Sequence, residues 1–159
     1  MASCSQHANR ITCHWSAGDY DTVHENYHLS ITGDGRIFTP VDSFDTKLSH
    51  SWKDNTGNIG VCLCGGCGAY LNSESDYSLG DCPPTEVQLD TLAQCIATIL
   101  KGTGIPLDQV YTHAERALKF NYGPYQGDPD TRWDLWFLRE GEEHGAGGSK
   151  IRDMVQKYC

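Results

Sequence analysis

Short runs of apolar and β-branched residues, each ended by turn-forming residues, recur along the chain and predict β-strands. The predicted strands lie at residues 10–15, 27–31, 36–39, 58–64 and 110–112. Gly33-Asp34-Gly35 predicts a hairpin turn, because glycine adopts the positive φ that short turns need. Residues 48–52 fit either a short strand or a loop. The run at 58–64 is the most apolar, so we expect it at the centre of a sheet.

Apolar residues at three- and four-residue spacing predict a long helix that begins after Thr85 and ends near Gly102. Thr85 is the expected N-cap, and Gln88 stands three residues later, as in a capping box. Shorter helices are predicted at 131–138 and 149–158. The pattern predicts one α/β domain over residues 1–159, with a central mixed sheet of about five strands flanked by helices.

The composition narrows the possible partners. The chain has 159 residues and a formal net charge of -9, which argues against nucleic acid and against an anionic membrane surface. No apolar run approaches the roughly 20 residues that cross a bilayer. The first ten residues lack the basic and apolar regions of a secretory signal, so we expect synthesis in the cytosol.

Eight cysteines are many for a chain of this length. Cys62, Cys64 and Cys67, with Cys82 as a fourth thiolate, could hold a metal. Alternatively, Cys62 and Cys64 are small buried hydrophobic residues on one face of a strand. A disulfide between Cys67 and Cys82 is a further possibility in an oxidising compartment.

Two histidines, His14 and His113, follow strand-like runs, where a sheet presents side chains to a crevice. A catalytic zinc ion takes three protein ligands and keeps a fourth position for water. With Asp128, these histidines would supply that set. On the residues alone, a histidine at a strand end is more often a core or surface residue than a metal ligand.

Five stretches, in this order, resemble the zinc-dependent N-acetylmuramoyl-L-alanine amidases, whose fold phage endolysins share with peptidoglycan recognition proteins. They are ITCHWSAG, YHLSITGDGRIF, SHSWKDNTGNIGVCLCGG, PPTEVQLDTLAQCIATIL, and VYTHAERA followed by GDPDTRWDLW. The resemblance runs from about residue 10 to residue 138. It implies a Zn²⁺ ion bound by His14, His113 and Asp128. Asp130 is the alternative to Asp128, which is preferred because it precedes a proline as the family's ligand does.

The resemblance also implies catalytic roles. Tyr27 matches a tyrosine that many members place beside the zinc-bound water. Some relatives carry a glutamate as general base where this chain has Cys62, so Glu25 is the candidate base here. Many members carry a lysine two residues before the third ligand, a position that Gln126 fills here, and Arg132 is the alternative donor.

Substrate contacts are expected from Trp15, His50, Trp52, Tyr122 and Arg132, although each aromatic residue could equally belong to the core. His28, beside Tyr27, is expected to be structural. The implied activity is hydrolysis of the amide between N-acetylmuramic acid and the L-Ala of the stem peptide. The alternative is a recognition module that binds muropeptide without cutting it.

The implied partner is bacterial peptidoglycan, with no nucleic acid and no membrane, and we expect a monomer. The cell wall is the expected place of action, reached through a holin or a secretion machine. A phage endolysin, an antibacterial effector and a recycling amidase all fit this description of a bacteriolytic, antimicrobial enzyme.

Overall fold

The computed structural model of the chain describes residues 7–129 and 131–159. Its main sheet has five strands in the order β3-β2-β4-β1-β7. The strands are β1 (Arg10–Trp15), β2 (Leu29–Ile31), β3 (Ile37–Phe38), β4 (Asn58–Leu63) and β7 (Val110–Thr112). All neighbours are parallel except β3, which pairs antiparallel with β2. The predicted mixed sheet, with the run at 58–64 in its centre, is confirmed.

The two faces of this sheet differ in chemistry because side chains alternate along each strand. One face carries Ile11 and Cys13 of β1 and Ile59 and Val61 of β4, which are fully buried in the hydrophobic core. Helices cover this apolar face. The opposite face carries polar side chains, and on this face the strand register places His14 beside Cys62.

Two helices pack against the apolar face, α1 (Glu86–Thr103) and α3 (Gly147–Gln156). The predicted capping box of α1 is present: Gln88 N donates to Thr85 Oγ1, and Thr85 N donates to Gln88 Oε1. The buried Gln88 amide also donates to the carbonyls of Ile31 and Cys64, which ties the start of the helix to the sheet. Gly104 ends the helix in the left-handed region, with φ 78°.

Three elements differ from the sequence prediction. The prediction of a helix at 131–138 is wrong. This segment forms turns, and Leu135 has φ 61°, which no α-helix accommodates. Leu135 and Phe137 are instead fully buried in the core. A helix absent from the prediction, α2 (His113–Lys119), begins directly after β7. A hairpin of β5 (Tyr70–Ser73) and β6 (Asp76–Ser78) was also not predicted.

Among the described residues, the cysteines do not form a four-thiolate site. The group there that could hold a metal ion consists of histidine and aspartate side chains. Cys62 and Cys64 are buried, as the hydrophobic interpretation predicted, and Cys67 and Cys82 are unbridged thiols. These two lie on adjacent segments, because Gly66 N donates to Cys82 O and Asp81 N to Cys67 O. None of the helices in the described part of the chain is long and apolar enough to cross a bilayer.

Candidate metal centre

The polar face of the sheet brings two histidines together at the ends of neighbouring parallel strands. Cys13 of β1 pairs with Thr112 of β7, so the next residue along each strand places His14 beside His113. The rings lie 4.4 Å apart between centroids. Both side chains are buried, with 1% exposure for His14 and 5% for His113.

His113 is the first residue of α2, and its backbone is fixed from both sides. Thr112 is the N-cap, and a capping box joins it to Glu115. Glu115 is held in turn by Arg152 of α3, whose guanidinium nitrogens lie 3.0 and 3.1 Å from its carboxylate oxygens. The strand, the cap and α3 together orient this histidine.

A third ligand-type side chain, Asp134, reaches the two imidazoles from the segment after α2. Its backbone carbonyl accepts from Ala114 N, and its Oδ2 accepts from Trp15 N at 3.4 Å. Asp134 is 6% exposed. It enters the group from a turn segment, not from a strand or a helix.

Three atoms define the group: His14 Nδ1, His113 Nδ1 and Asp134 Oδ2. The separations are 3.1 Å between the nitrogens, 3.3 Å from His113 to Asp134, and 3.5 Å from His14 to Asp134. Ligands of a tetrahedral zinc ion, at bond lengths of about 2.0–2.1 Å, lie roughly 3.3–3.4 Å apart. Two imidazoles and a carboxylate are also a donor set that zinc takes in enzymes. The side chains therefore fit a zinc ion by chemistry and by spacing.

The protonation states suit a cation at this point. Burial, with the neighbouring His113, lowers the pKa of His14 to about 4, so its imidazole is neutral at pH 7. Burial alone would raise the pKa of Asp134, but His113 and His14 hold it well below its usual range. The neutral His14 imidazole and the Asp134 carboxylate therefore both offer electron pairs at this point.

Asp128, the expected third ligand, lies elsewhere in the structure. It lines a cavity together with His113 but does not belong to the group of three. Its backbone carbonyl accepts from Thr131 N, which closes a turn around Pro129. Asp130 lies outside the described residues. Asp134, and not Asp128, is the carboxylate that lies with the two histidines. Sequence reasoning pointed to Asp128 because a proline follows it, as in the family pattern.

A usable signal for Asp134 was present in the sequence. Many relatives are expected to place a lysine two positions before the third ligand, and an arginine, Arg132, stands two positions before Asp134. Gln126, which stands two positions before Asp128, is exposed. Its side-chain amide forms hydrogen bonds with nearby backbone groups. Its Oε1 accepts from Gly123 N and its Nε2 donates to Leu118 O.

Two open cavities meet at the group. The first, of about 690 Å³, is lined by His50, Trp52, Lys53 and Tyr122 among others. The second, of about 430 Å³, is lined by Trp15, Tyr27 and Trp133 among others. His50, His113 and Arg132 line both cavities. The group therefore lies where the two cavities adjoin, and the two together are called the groove.

The expected substrate residues divide into exposed and buried ones. Trp52 is 58% exposed, stands edge-on to Tyr122, and carries Lys53 Nζ 4.5 Å from its ring centroid. Tyr122 is buried, with its hydroxyl 3.2 Å from His113 Nε2. Trp15 is also buried and packs edge-on against Trp133. Trp52 and Arg132 are the members of the expected set that remain exposed in the groove.

The expected catalytic residues are also divided. The Tyr27 ring lies 5.0 Å from the His14 ring. Burial raises the Tyr27 pKa far above its usual range, so the phenol keeps its proton. Glu25 is exposed on the turn before Tyr27 and lines neither cavity of the groove. Tyr27 therefore lies beside the group of three, whereas Glu25 lies outside both cavities.

His28 lies on the same side of the sheet as His14. Its Nδ1 accepts a hydrogen bond from Gly60 N, and its Nε2 faces Thr46 O. Both ring nitrogens therefore contact backbone groups. Burial lowers its pKa.

A buried ion-pair cluster anchors the loop that carries His50 and Trp52. Asp54 accepts from Arg116 of α2 through Nε and Nη2, at 2.6 and 2.8 Å, and from Arg10 of β1 at 2.7 Å. The Asp54 side chain is 3% exposed. The cluster joins the groove loop to the helix that begins with His113.

Comparison with known proteins identifies a family for the chain. The profile of the N-acetylmuramoyl-L-alanine amidase family matches residues 2–130, so Asp134 lies beyond the matched range. No curated protein matches the sequence significantly.

Solved structures share the fold. The Escherichia coli amidase AmiD, in complex with an anhydro-N-acetylmuramic acid peptide, is 18% identical with a TM-score of 0.53. That match covers 72% of this chain and 51% of AmiD, so this chain spans about half of that protein. The Drosophila peptidoglycan recognition protein SD is 14% identical with a TM-score of 0.54, over 84% of this chain and 88% of its own. A Clostridium intestinale endolysin amidase, LysCS, is 18% identical with a TM-score of 0.50, over 69% and 70%. The family match over most of the sequence shows that the chain belongs to the N-acetylmuramoyl-L-alanine amidase family.

Proposed function

We propose that the protein is a zinc-dependent peptidoglycan amidase that hydrolyses the amide bond between N-acetylmuramic acid and the L-Ala of the stem peptide. The observation that carries the proposal is the spacing of 3.1–3.5 Å among His14 Nδ1, His113 Nδ1 and Asp134 Oδ2 at the floor of an open groove. These three side chains are the proposed ligands. The family assignment supplies the substrate class.

Zinc held by these ligands would polarise the scissile carbonyl and lower the pKa of a water molecule from about 15.7 to roughly 7. The chain's own residues supply the rest. The protonated Tyr27 phenol, on the rim of the second cavity, can donate a hydrogen bond to the substrate carbonyl oxygen or orient the water.

Arg132 is the proposed second donor. It lines both cavities beside His113, and it takes the position two residues before the proposed third ligand. A guanidinium placed there favours the negative charge that develops on the carbonyl oxygen in the transition state. It replaces Gln126, whose amide is occupied within its own turn.

Trp52 is the proposed platform for the sugar or peptide, because an exposed indole on the groove rim offers a flat apolar surface. The site of action is then the bacterial cell wall, and a muropeptide is the minimal ligand. We propose that the protein acts as a monomer.

The test is digestion of purified peptidoglycan, with release of new L-Ala amino termini as the readout. We expect release that a chelator abolishes and added zinc restores. The His113→Ala variant should show no release in any of these conditions, while the matched variant His144→Ala, which replaces a histidine outside the group, should keep it.

Metal-independent cleavage, or cleavage at another bond, would reject the mechanism. Muropeptide binding without release would reject the hydrolase and would identify a recognition module.

A further inference from the structure

A second histidine stands behind the proposed metal ligand His14. His50 Nδ1 lies 2.9 Å from His14 Nε2, on the side of the His14 ring away from His113 and Asp134. His50 Nε2 lies 2.9 Å from the backbone carbonyl oxygen of Asn58. His50 therefore bridges a strand carbonyl to the imidazole of His14.

The strand is shaped to accept this ring. His50 packs over Gly60 of β4, and a Cβ at that position would lie 2.8 Å from His50 Cγ. His28 covers the ring edge-on, with 5.6 Å between centroids. His50 is 8% exposed. In this packing the His50 ring turns its Nδ1 towards His14.

Chemistry then fixes the protons along the bridge. A carbonyl oxygen only accepts, so His50 Nε2 carries a hydrogen and donates to Asn58 O. A buried imidazole without a facing carboxylate stays neutral, so His50 Nδ1 holds a lone pair and accepts. His14 Nε2 must therefore carry the hydrogen that it donates to His50. Its Nδ1 is left with the lone pair that faces His113 and Asp134.

We propose that His50 is a positioning residue that fixes the tautomer and ring orientation of His14, so that Nδ1 is presented to the metal ion. The proposal rests on the proposed function only in taking His14 as a zinc ligand. It differs from the expectation that His50 contacts substrate. The outer partners of metal-bound histidines commonly have this role, and their loss typically weakens metal affinity about 10- to 100-fold.

Ser51 is a weaker substitute for this partner. Its hydroxyl lies 3.1 Å from His50 Nδ1 and 3.5 Å from His14 Nε2. A hydroxyl both donates and accepts, so it does not select one tautomer as the carbonyl-anchored imidazole does.

The test measures the tautomer directly, in metal-free protein. Long-range ¹H–¹⁵N spectra at neutral pH distinguish Nδ1–H from Nε2–H imidazoles, and the His14 signals are assigned by their loss in His14→Gln. We expect His14 to carry its hydrogen on Nε2 in the wild type. The variant His50→Phe keeps the ring shape without an acceptor, and we expect it to lose this preference and to bind zinc about 10- to 100-fold more weakly.

Two further variants make the comparison specific. His50→Gln retains an acceptor for His14 and a donor for Asn58 O, and should restore most of the zinc affinity. His144→Phe is the matched control, because His144 stacks on Phe137 away from the site, and should leave both readouts unchanged. Activity lost in His50→Phe should return at excess zinc, whereas the loss of a substrate contact would persist.

A wild-type His14 that carries its hydrogen on Nδ1 would overturn the proposal, and so would unchanged zinc affinity in a folded His50→Phe. If His50→Phe does not fold, the wild-type tautomer and His50→Gln decide the matter. If the wild type binds no zinc, the proposed hydrolase fails, and the metal-free spectra still decide whether His50 sets the proton of His14.

Discussion

The Asp54 cluster allows a quantitative prediction about the groove. Asp54→Asn removes a buried carboxylate that accepts three hydrogen bonds of 2.6–2.8 Å from two guanidinium groups. The side chains of Arg10 and Arg116 are only 14% and 11% exposed. Removal of one partner from a buried ion pair costs about 3–5 kcal/mol, because the remaining charge is left uncompensated.

For a chain of this size, each kcal/mol shifts the thermal midpoint by about 2–4 °C. The variant should therefore unfold roughly 6–20 °C below the wild type in a calorimetric scan of zinc-free protein. Asp42→Asn makes the same chemical change at an exposed position. There we expect the free energy of unfolding to change by less than about 0.5 kcal/mol.

The difference should also depend on pH. Burial would raise the pKa of Asp54, but Arg116 and Arg10 lower it below its usual value. A depressed folded pKa gives stability that is fully present above the unfolded pKa of about 3.9 and is lost as pH falls through the folded value. The gap between wild type and variant should be constant near pH 7 and narrow below about pH 4. A midpoint shift under about 2 °C at pH 7, or a gap that widens in acid, would refute the reasoning.

Three other variants test the groove and its floor. Trp52→Ala should raise KM about 2- to 10-fold, which is the contribution expected of one aromatic contact, and should leave the thermal midpoint unchanged. The control is Tyr70→Ala at an exposed position of β5, which should change neither KM nor the midpoint. Arg132→Gln should lower kcat about 10²-fold at unchanged zinc affinity, and Arg132→Lys should recover part of the rate; equal kcat in all three proteins would remove Arg132 from the mechanism. Gly60→Ala should displace the His50 ring, cost about 1–3 kcal/mol in the free energy of unfolding and weaken zinc binding, whereas normal stability and binding would contradict the close packing.

Regular patterns carried most of the fold prediction. The apolar run at 58–64 and the Thr85 capping box are local signals, and both elements form as predicted. The helix predicted at 131–138 failed because Leu135 takes a left-handed backbone to bury its side chain. That conformation is set by tertiary packing, which a local pattern does not contain.

The site residues likewise divide into those that local sequence patterns predict and those that depend on tertiary packing. His14 and His113 follow strand runs, and parallel pairing brings strand ends together, so their meeting is predictable from sequence. Asp134 lies on an irregular segment, and the path of that segment depends on how it packs against the core. The proline after Asp128 led the sequence prediction to Asp128 instead. His50 depends on the close approach of a loop to Gly60, which no spacing rule contains.

The most direct test of the central claim is a zinc competition titration of the wild type beside Asp134→Asn and Asp128→Asn. We predict one tightly bound zinc ion per chain in the wild type, and affinity reduced by roughly 10²-fold or more in Asp134→Asn. Asp128→Asn should bind like the wild type. Full affinity in Asp134→Asn with loss in Asp128→Asn, or no zinc bound by the wild type, would contradict the account.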